Sequence, residues 1–269
     1  MAANLATEPV RAVDRIDTAP RFSEADAVRL NRMFRGTDTV EMLGSVLRDG
    51  LAGDVAVVSS FGAESAVLLH LIAQVNPALP VLFLETGKHF PETLAYRDLL
   101  IERLGLTGIQ NLTPDAETLA KRDGNGLRWS FDPDGCCEIR KVIPLAGAMA
   151  KFDASITGRK GFQSSTRTGL PRFEIDRSDA QGRLKINPLA DWSAEALAAY
   201  FVDHDLPAHP LVAEGYPSIG CSPCTSKVAP GEDARSGRWK GWDKVECGIH
   251  VPGQDDGTGE LPPGFDPVF

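Results

Sequence analysis

Short apolar runs alternate with longer segments of helical periodicity along most of the chain. Residues 54–59 and 81–84 are rich in β-branched and other apolar side chains, which is typical of strands buried on both faces of a sheet. Residues 66–75 have a helical pattern that ends at Asn76-Pro77, and the turn before them contains glycine and serines. A strand, a turn, a helix and a second strand in this order predict a parallel unit with a right-handed crossover.

The same alternation continues on both sides of this unit and predicts an α/β fold with a mostly parallel, doubly wound sheet. Capping residues set several helix ends, since Asp38 can begin a helix and Gly105 can end one. The further predicted elements are helices at 24–33, 38–50, 91–104, 115–122, 138–151 (broken or kinked at Pro144) and 193–201, and strands at 109–112, 154–157 and 184–187. The segment after the last helix is irregular and rich in glycine, proline and charge.

The pattern divides the chain into three parts. The pattern predicts a flexible arm at residues 1–22 and a single domain at residues 23–250. It predicts a flexible tail, rich in glycine, proline and aspartate, at residues 251–269. A chain of 269 residues is long enough to bury a large core, and no repeat or interdomain linker interrupts the pattern.

Composition narrows the classes of partner. The net charge of −9 argues against a general affinity for nucleic acid or for an anionic membrane. No apolar stretch is long enough to span a membrane, and the first twenty residues lack the apolar core of a secretory signal. The expected location is the cytoplasm, where thiols stay reduced.

The cysteines form two pairs and one separate residue. Cys136 and Cys137 are adjacent and follow a turn, whereas Cys221 and Cys224 have C-x-x-C spacing. Four thiolates from two distant segments suit a [4Fe–4S] cluster or Zn²⁺, and spacing alone does not separate the two. Cys247 lies apart, near the C-terminus, and is therefore the candidate nucleophile, although a single cysteine is more often an ordinary small side chain.

The turn after the first strand is the natural anion site of such a sheet. Ser60 and Ser65 offer hydroxyl groups, and Gly62 allows close approach of the backbone at the start of a helix. The turn matches neither the Walker nor the dinucleotide fingerprint. Bases recur in the other loops and predict recognition of an anionic ligand within an acidic protein; they are Lys88, Lys141, Arg159, Lys160, Arg167, Arg235, Arg238 and Lys240.

Seven motifs in order carry a resemblance to a known family. They are S-S-F-G-A-E-S at 59–65, L-E-T-G-K-H-F-P-E-T at 84–93, C-C-E-I-R-K at 136–141, I-T-G-R at 156–159, G-C-S-P-C-T at 220–225, R-S-G-R-W at 235–239 and E-C-G-I-H at 246–250. The set resembles the assimilatory sulfonucleotide reductases, specifically the iron–sulfur adenylyl-sulfate (APS) reductases.

The resemblance implies an adenine nucleotide α-hydrolase-like fold with a modified pyrophosphate loop at residues 60–65. Phe61 and Glu64 replace a glycine and an aspartate of the ATP-cleaving relatives, which favours binding of a sulfonucleotide over cleavage of ATP. It also implies a [4Fe–4S] cluster on Cys136, Cys137, Cys221 and Cys224.

The implied reaction reduces APS to sulfite and AMP in sulfate assimilation and cysteine biosynthesis. Cys247 attacks the sulfur of the nucleotide, AMP leaves, and thioredoxin or glutaredoxin reduces the enzyme S-sulfocysteine. The implied substrate-binding residues are Ser60, Phe61, Gly62, Ser65, Lys141, Arg159, Arg235, Arg238 and His250.

Two other readings stay open. A 3′-phosphoadenylyl-sulfate (PAPS) reductase, or an enzyme that accepts both nucleotides, is the nearest alternative, although that relative generally lacks the four cysteines. A zinc-containing nucleotide-binding or tRNA-thiolation protein on the same loop is an alternative of another class. The oligomeric state is also open, a homo-oligomer included.

Overall fold

The computed structural model describes residues 21–163, 167–179, 181–244 and 246–250. Residues 1–20 of the predicted arm and the whole predicted tail at 251–269 lie outside this part of the chain. Arg21 and Phe22, which the sequence pattern assigned to the arm, belong to the packed body: Phe22 joins the hydrophobic core and Arg21 pairs with Asp153 at 2.5 Å.

Six strands form one sheet within the described residues, in the order β3-β2-β1-β4-β6-β5. Every neighbouring pair is parallel except β5 and β6. The strands are β1 (Val55–Ser59), β2 (Val81–Leu84), β3 (Ile109–Leu112), β4 (Ala154–Thr157), β5 (Phe173–Ile175) and β6 (Leu184–Ile186). The chain builds outward from β1 in one direction and from β4 in the other, so the crevice where ligands bind in such sheets lies between these two strands.

The helices that surround the sheet agree closely with the sequence pattern. They are α1 (Glu24–Met33), α2 (Thr39–Arg48), α3 (Ser65–Val75), α4 (Pro91–Leu104), α5 (Ala116–Arg122), α6 (Pro133–Cys137), α7 (Ile143–Met149), α8 (Ala194–Asp203) and α9 (Pro210–Ala213). Asp38 caps α2 by accepting from the N–H groups of Val40 and Glu41. Gly105 ends α4 with a φ of 61°, a left-handed conformation that glycine adopts without strain. None of the described helices is both long and apolar enough to cross a bilayer.

The two faces of the sheet bury cores of different size. Successive side chains of a strand point to opposite faces, so Val57 joins the larger core while Ala56 joins the smaller one. The larger core includes residues of α1 to α4 and α8, whereas the smaller one is built around Leu82 and Met149. Both faces of the central strands are therefore covered, which explains why their sequences are apolar without alternation.

The structure differs from the expected helix at 138–151 in one respect. The cysteine pair lies inside α6, and a π-helical turn at Glu138–Val142 joins α6 to α7. Pro144 has no N–H to donate to the carbonyl four residues earlier, so the helix cannot continue with regular spacing through this point. The pattern also missed α9 and the edge strand β5, both of which are very short.

Candidate active site

A cavity of about 220 Å³ opens at the carboxyl ends of β1 and β4. Its walls include the loops after β1 and β4 and the segment 217–221. Further lining residues are His89, Lys141, Arg235, Arg238, Trp239, Glu246, Cys247 and Ile249. Most of the candidate residues from the sequence lie in these parts of the chain. The topology therefore brings the predicted anion loop, the bases and Cys247 to one place.

The loop after β1 lies as predicted at the start of α3. Ser60, Gly62 and Ser65 line the cavity, and Ser65 is the first residue of the helix. A Cβ atom at Gly62 would lie 3.3 Å from the carbonyl oxygen of Ile219, so a glycine here allows the 217–221 segment to pack against the loop. The free N–H groups of a helix start favour an anion at this position.

Phe61 does not contact the cavity, in contrast to its predicted substrate-binding role. Its side chain is fully buried and packs edge-on against Phe83, with ring centroids 5.5 Å apart. Its N–H donates to the Ser59 hydroxyl at 3.2 Å, and its φ of 48° turns the chain sharply after β1. Phe61 therefore shapes the loop by anchoring it in the core.

Glu64 of the same loop is neutralised by its surroundings. Lys160, which is almost fully buried, donates to the Glu64 carboxylate at 2.8 Å, and the Gln163 amide donates to it at the same distance. Burial lowers the pKa of Lys160, while the Glu64 carboxylate acts in the opposite direction. The negative charge of Glu64 is therefore balanced by the ammonium group of Lys160.

Arg159 lines the cavity, and its guanidinium group is held by three neighbouring side chains. It forms a salt bridge with Glu174 of β5 and donates to the Asn187 side chain at 3.1 Å and to the Thr157 hydroxyl at 3.3 Å. Glu174 and Asn187 were not singled out in the sequence. They could be found only from the sheet, because β5 and β6 bring them next to β4.

Arg235 and Arg238 line the opposite wall around Trp239. The guanidinium carbon of Arg238 lies 4.5 Å from the centre of the Trp239 ring, and that of Arg235 lies 5.8 Å from it. A Cβ atom at Gly220 would lie 2.2 Å from Nη2 of Arg238, so only glycine leaves room for this side chain. Trp239 and Gly220 therefore fix the direction of the arginine.

Among the side chains that the structure describes, two buried nitrogen atoms have no hydrogen-bond partner, and both belong to residues of the cavity wall. They are Nε of Arg238 and Nδ1 of His89. The other ring nitrogen of His89 lies 2.8 Å from the Leu84 carbonyl oxygen and donates to it, while burial lowers the pKa of His89. The neutral ring leaves Nδ1 as an acceptor. An unpaired donor and an unpaired acceptor are what a polar ligand would satisfy.

The two cysteine pairs meet at a second, smaller cavity. Cys136 and Cys137 of α6 and Cys221 and Cys224 line it, and Lys141 lines both cavities. The hydroxyl of Thr86 lies 3.4 Å from the sulfur of Cys221. All five cysteines are free thiols, so the fold contains no disulfide. Burial raises the pKa of Cys136 to about 11.

The four thiols of this cavity can be compared with the ligand geometry of Zn²⁺ and of a [4Fe–4S] cluster. Among the described residues, no three thiol, imidazole or carboxylate side chains converge as ligands of one ion. Zn²⁺ needs its four sulfurs about 2.3 Å from one point. A four-iron cube takes one sulfur at each of four separate corners. Four thiols around one small cavity are a donor set that suits either a [4Fe–4S] cluster or Zn²⁺.

Cys247 is half-buried and lines the large cavity. A hydrogen bond with Cys137 and the ammonium of Lys141 hold its pKa well below the usual range, against the effect of burial. The hydrogen bond requires a proton on Cys137, so Lys141, the Ile249 N–H and Arg238 remain as causes if Cys137 binds a metal. The backbone of His250 closes a short 3₁₀ helix at Gly248–His250, and its side chain lies outside the described part of the chain.

Arg167 and Glu246 also line this cavity, although neither was among the predicted site residues. The sequence signal for Arg167 was its place among the loop bases. Glu246 gave no such signal beyond its position next to Cys247. Their mutual salt bridge at 2.8 Å could be recognised only in the fold.

Comparison with known proteins gives a consistent result. Residues 54–227 match the phosphoadenosine phosphosulfate reductase domain. The chain is 49% identical over 243 residues to the adenosine 5′-phosphosulfate reductase of Mesorhizobium japonicum, covering 90% of this chain and 94% of that protein. It is 40% identical over 242 residues to the enzyme of the same name from Mycobacterium tuberculosis, covering 85% and 91%.

A solved structure shares the fold. The phosphoadenylyl-sulfate reductase of Candida auris, in a phosphate complex, superposes with a TM-score of 0.64 at 27% identity, covering 78% of this chain and 100% of that one. The expected α/β fold of the adenine nucleotide α-hydrolase type is therefore confirmed.

Proposed function

Because the chain belongs to the phosphoadenosine phosphosulfate reductase family, we propose that it reduces APS to sulfite and AMP in sulfate assimilation. The observation that carries the proposal is the position of Cys247. This thiol lines an anion-type cavity together with Lys141, Arg235 and Arg238. The names of the curated relatives support an oxidoreductase that acts on APS.

The first step transfers a sulfonate group to the enzyme. The Cys247 thiolate attacks the sulfur of APS, a new S–S bond forms, and the bond between sulfur and the bridging oxygen breaks. The electron pair of that bond stays on the AMP phosphate. Lys141, Arg238, Ser60 and Gly62 line the same cavity. In the proposed reaction the two cations stabilise the developing charge, and the loop that contains Ser60 and Gly62 donates to the phosphate.

The second step releases sulfite and needs an external dithiol. A thiolate of thioredoxin or glutaredoxin attacks the sulfur of Cys247, and sulfite leaves with the electron pair of the S–S bond. The second thiol of the reductant then resolves the mixed disulfide, which restores the Cys247 thiol and leaves the reductant oxidised. This reductant and a cytoplasmic location are part of the proposal.

Cys136, Cys137, Cys221 and Cys224 are the residues that would hold a [4Fe–4S] cluster. When bound, the cluster would fix the two cysteine segments and add its charge to the field around the substrate. Lys141 lies between the two cavities and contributes its ammonium to both. Arg140 holds the α6 region in place, because it donates to Asp123 at 2.6 Å and to the carbonyl oxygen of Thr86 at 2.7 Å.

APS is the preferred substrate over PAPS for two reasons. The four cysteines match the iron–sulfur type of the family, and relatives that are 40 to 50% identical carry the APS reductase name. The solved PAPS reductase is less similar, at 27% identity. Turnover measured side by side with both nucleotides tests this choice, and a strong preference for the 3′-phosphorylated one would overturn it.

Mass spectrometry of the enzyme mixed with APS in the absence of reductant tests the reaction. We expect one sulfonate adduct, located on the peptide that contains Cys247, and stoichiometric release of AMP. The Cys247→Ser variant should form no adduct and release no sulfite. A sulfonated adduct on that variant, or on another cysteine of the wild type, would overturn the assignment of the nucleophile.

A further inference from the structure

Glu246, the residue directly before Cys247, makes a salt bridge to each of two arginines from different segments. Its carboxylate accepts from Nε and Nη2 of Arg167 at 2.9 and 2.8 Å. It also accepts from Nη2 of Arg235 at 3.3 Å. The side chains of Arg167 and Glu246 are only 8% and 12% exposed, so their bidentate salt bridge is shielded from water.

These pairs tie the segment that carries Cys247 to both walls of the cavity. Arg167 follows β4 and belongs to one wall, while Arg235 precedes Trp239 on the other. Two more contacts hold the segment from the side of the cysteine pair. Lys244 pairs with Asp134 of α6, and Gly248 packs so closely that a Cβ atom would lie 3.2 Å from the Val142 side chain.

A carboxylate beside a nucleophilic thiol has an electrostatic cost. An isolated Glu246 would raise the pKa of Cys247 and reduce its thiolate fraction. Two guanidinium groups within 3.3 Å of the carboxylate offset its charge. A neutral residue at this position would not raise the pKa of Cys247. We therefore explain the charge of Glu246 by its salt bridges to Arg167 and Arg235, which hold the segment in place.

We propose that Glu246 is a positioning residue for the reaction. Its salt bridges to Arg167 and Arg235 hold the Cys247 thiolate at the cavity wall, in line with the sulfur under attack. This inference rests on the proposed function, because it takes the attacked atom to be the sulfur of APS. Glu246 acts through Cys247 and the arginines.

The test compares Glu246→Gln, Glu246→Asp and the wild-type holoenzyme by three measurements. These are the single-turnover rate of sulfonation of Cys247 by APS, the Kd for AMP, and the rate at which iodoacetamide alkylates Cys247, located by peptide mapping. Glu117→Gln is the control, since Glu117 forms an exposed salt bridge on α5. Circular dichroism and iron content check that each variant is folded.

We expect Glu246→Gln to slow sulfonation by about ten- to a hundredfold, as misplacement of a reacting group does. The Kd for AMP should stay within about threefold. Alkylation is measured over a range of pH so that a lower pKa of Cys247 is separated from greater access, and its rate constant for the fully ionised thiol should become severalfold larger because the segment opens. Glu246→Asp, which keeps the charge, should recover part of the sulfonation rate. Glu117→Gln should match the wild type in every measurement.

Three results would overturn the inference. Sulfonation that is unchanged or faster in Glu246→Gln would mean that the carboxylate does not position Cys247 and only raises the pKa of its thiol. A Kd for AMP that rises by the same factor as the rate falls would assign Glu246 to nucleotide binding. An unchanged rate constant for alkylation of the ionised thiol would mean that other contacts hold the segment. If the wild type is not sulfonated by APS, the proposed function fails, whereas the alkylation rates still decide whether Glu246 holds Cys247 in place.

Discussion

The basic side chains around the cavity differ in whether a carboxylate balances their charge. Arg159, Lys160 and Arg167 each have a carboxylate partner, so their charges are largely compensated. Within the described residues, Lys141 and Arg238 line the same cavity without a carboxylate at salt-bridge distance. We infer that these two supply most of the positive potential that an anionic ligand meets.

The Lys160–Glu64 pair leads to a prediction about nucleotide affinity. In Lys160→Met the Glu64 carboxylate loses its ammonium partner and faces the phosphate of the ligand. Two like charges about 4 Å apart repel each other by about 1 kcal/mol in water and about 4 kcal/mol near a protein surface. The Kd for AMP should therefore rise by about fivefold or more. Isothermal titration calorimetry of AMP binding measures the change.

The matched control is Lys185→Met. Lys185 is also buried and pairs with Asp176 at 2.7 Å, but neither residue lines the cavity. This variant should lose stability and keep its affinity for AMP. Equal losses of affinity in both variants would point to a general effect of removing a buried lysine, and the role given to Lys160 would be wrong.

At the scale of elements, short segments depend on side chains that anchor them. The helix α9 is one turn long, and its N-cap residue is His209, which is only 1% exposed. Nδ1 of His209 accepts from the N–H of Leu211 at 3.2 Å, so Nε2 carries the proton and donates to the Thr93 hydroxyl at 3.1 Å. Both nitrogens are used by the neutral ring, and this arrangement joins α9 to α4.

The buried ring predicts a loss of stability in acid. Burial lowers the pKa of His209 to about 4, from 6.5 in the unfolded chain. The unfolded state therefore binds a proton first, and the stabilisation present above pH 6.5 is lost as the pH falls towards 4. Between pH 7.5 and 5.5 the free energy of unfolding should drop by about 1 kcal/mol through this residue.

Denaturant unfolding of wild type and His209→Gln at both pH values measures this effect. Glutamine has no proton to gain in this pH range, so the stability of the variant should depend less on pH by the same amount. If the two proteins lose stability in parallel between pH 7.5 and 5.5, the acid sensitivity belongs to other groups.

At the scale of the whole molecule, the fold joins two distant cysteine segments. The N–H of Ser222 donates to the carbonyl oxygen of Lys88 at 2.8 Å, which fixes the C-x-x-C turn against the loop after β2. The cysteine pair of α6 reaches the same cavity from the other side. The proposed metal site thus depends on the assembled sheet and its loops, because its four thiols come from both segments.

Removal of a single thiol should therefore remove the metal. Cys221→Ser and Cys224→Ser should lose iron and the broad visible absorption of an iron–sulfur cluster, whereas Cys247→Ser should keep both. Iron and zinc analysis with an absorption spectrum measures this. A colourless wild type with zinc would favour the zinc-containing alternative, and loss of iron from Cys247→Ser would mean that Cys247 is a ligand.

Local sequence patterns predicted most of the secondary-structure elements, and the seven motifs contain most of the residues that line the large cavity. Strands such as Val81–Leu84 and helices such as Pro91–Leu104 were predicted with their observed bounds, because apolar periodicity and capping are local properties. The ordered motifs named the cysteines, Ser60, Gly62 and the arginines as site residues, and the fold brings them to two adjoining cavities.

Which charges are compensated and which side chains line the cavity became apparent only in the folded chain. Lys160 meets Glu64 across 96 residues of chain, and Arg167 meets Glu246 across 79. Phe61 turns into the core although its neighbours line the cavity. Partners so far apart in the chain are set by packing of the sheet and its loops, and no local pattern encodes that packing.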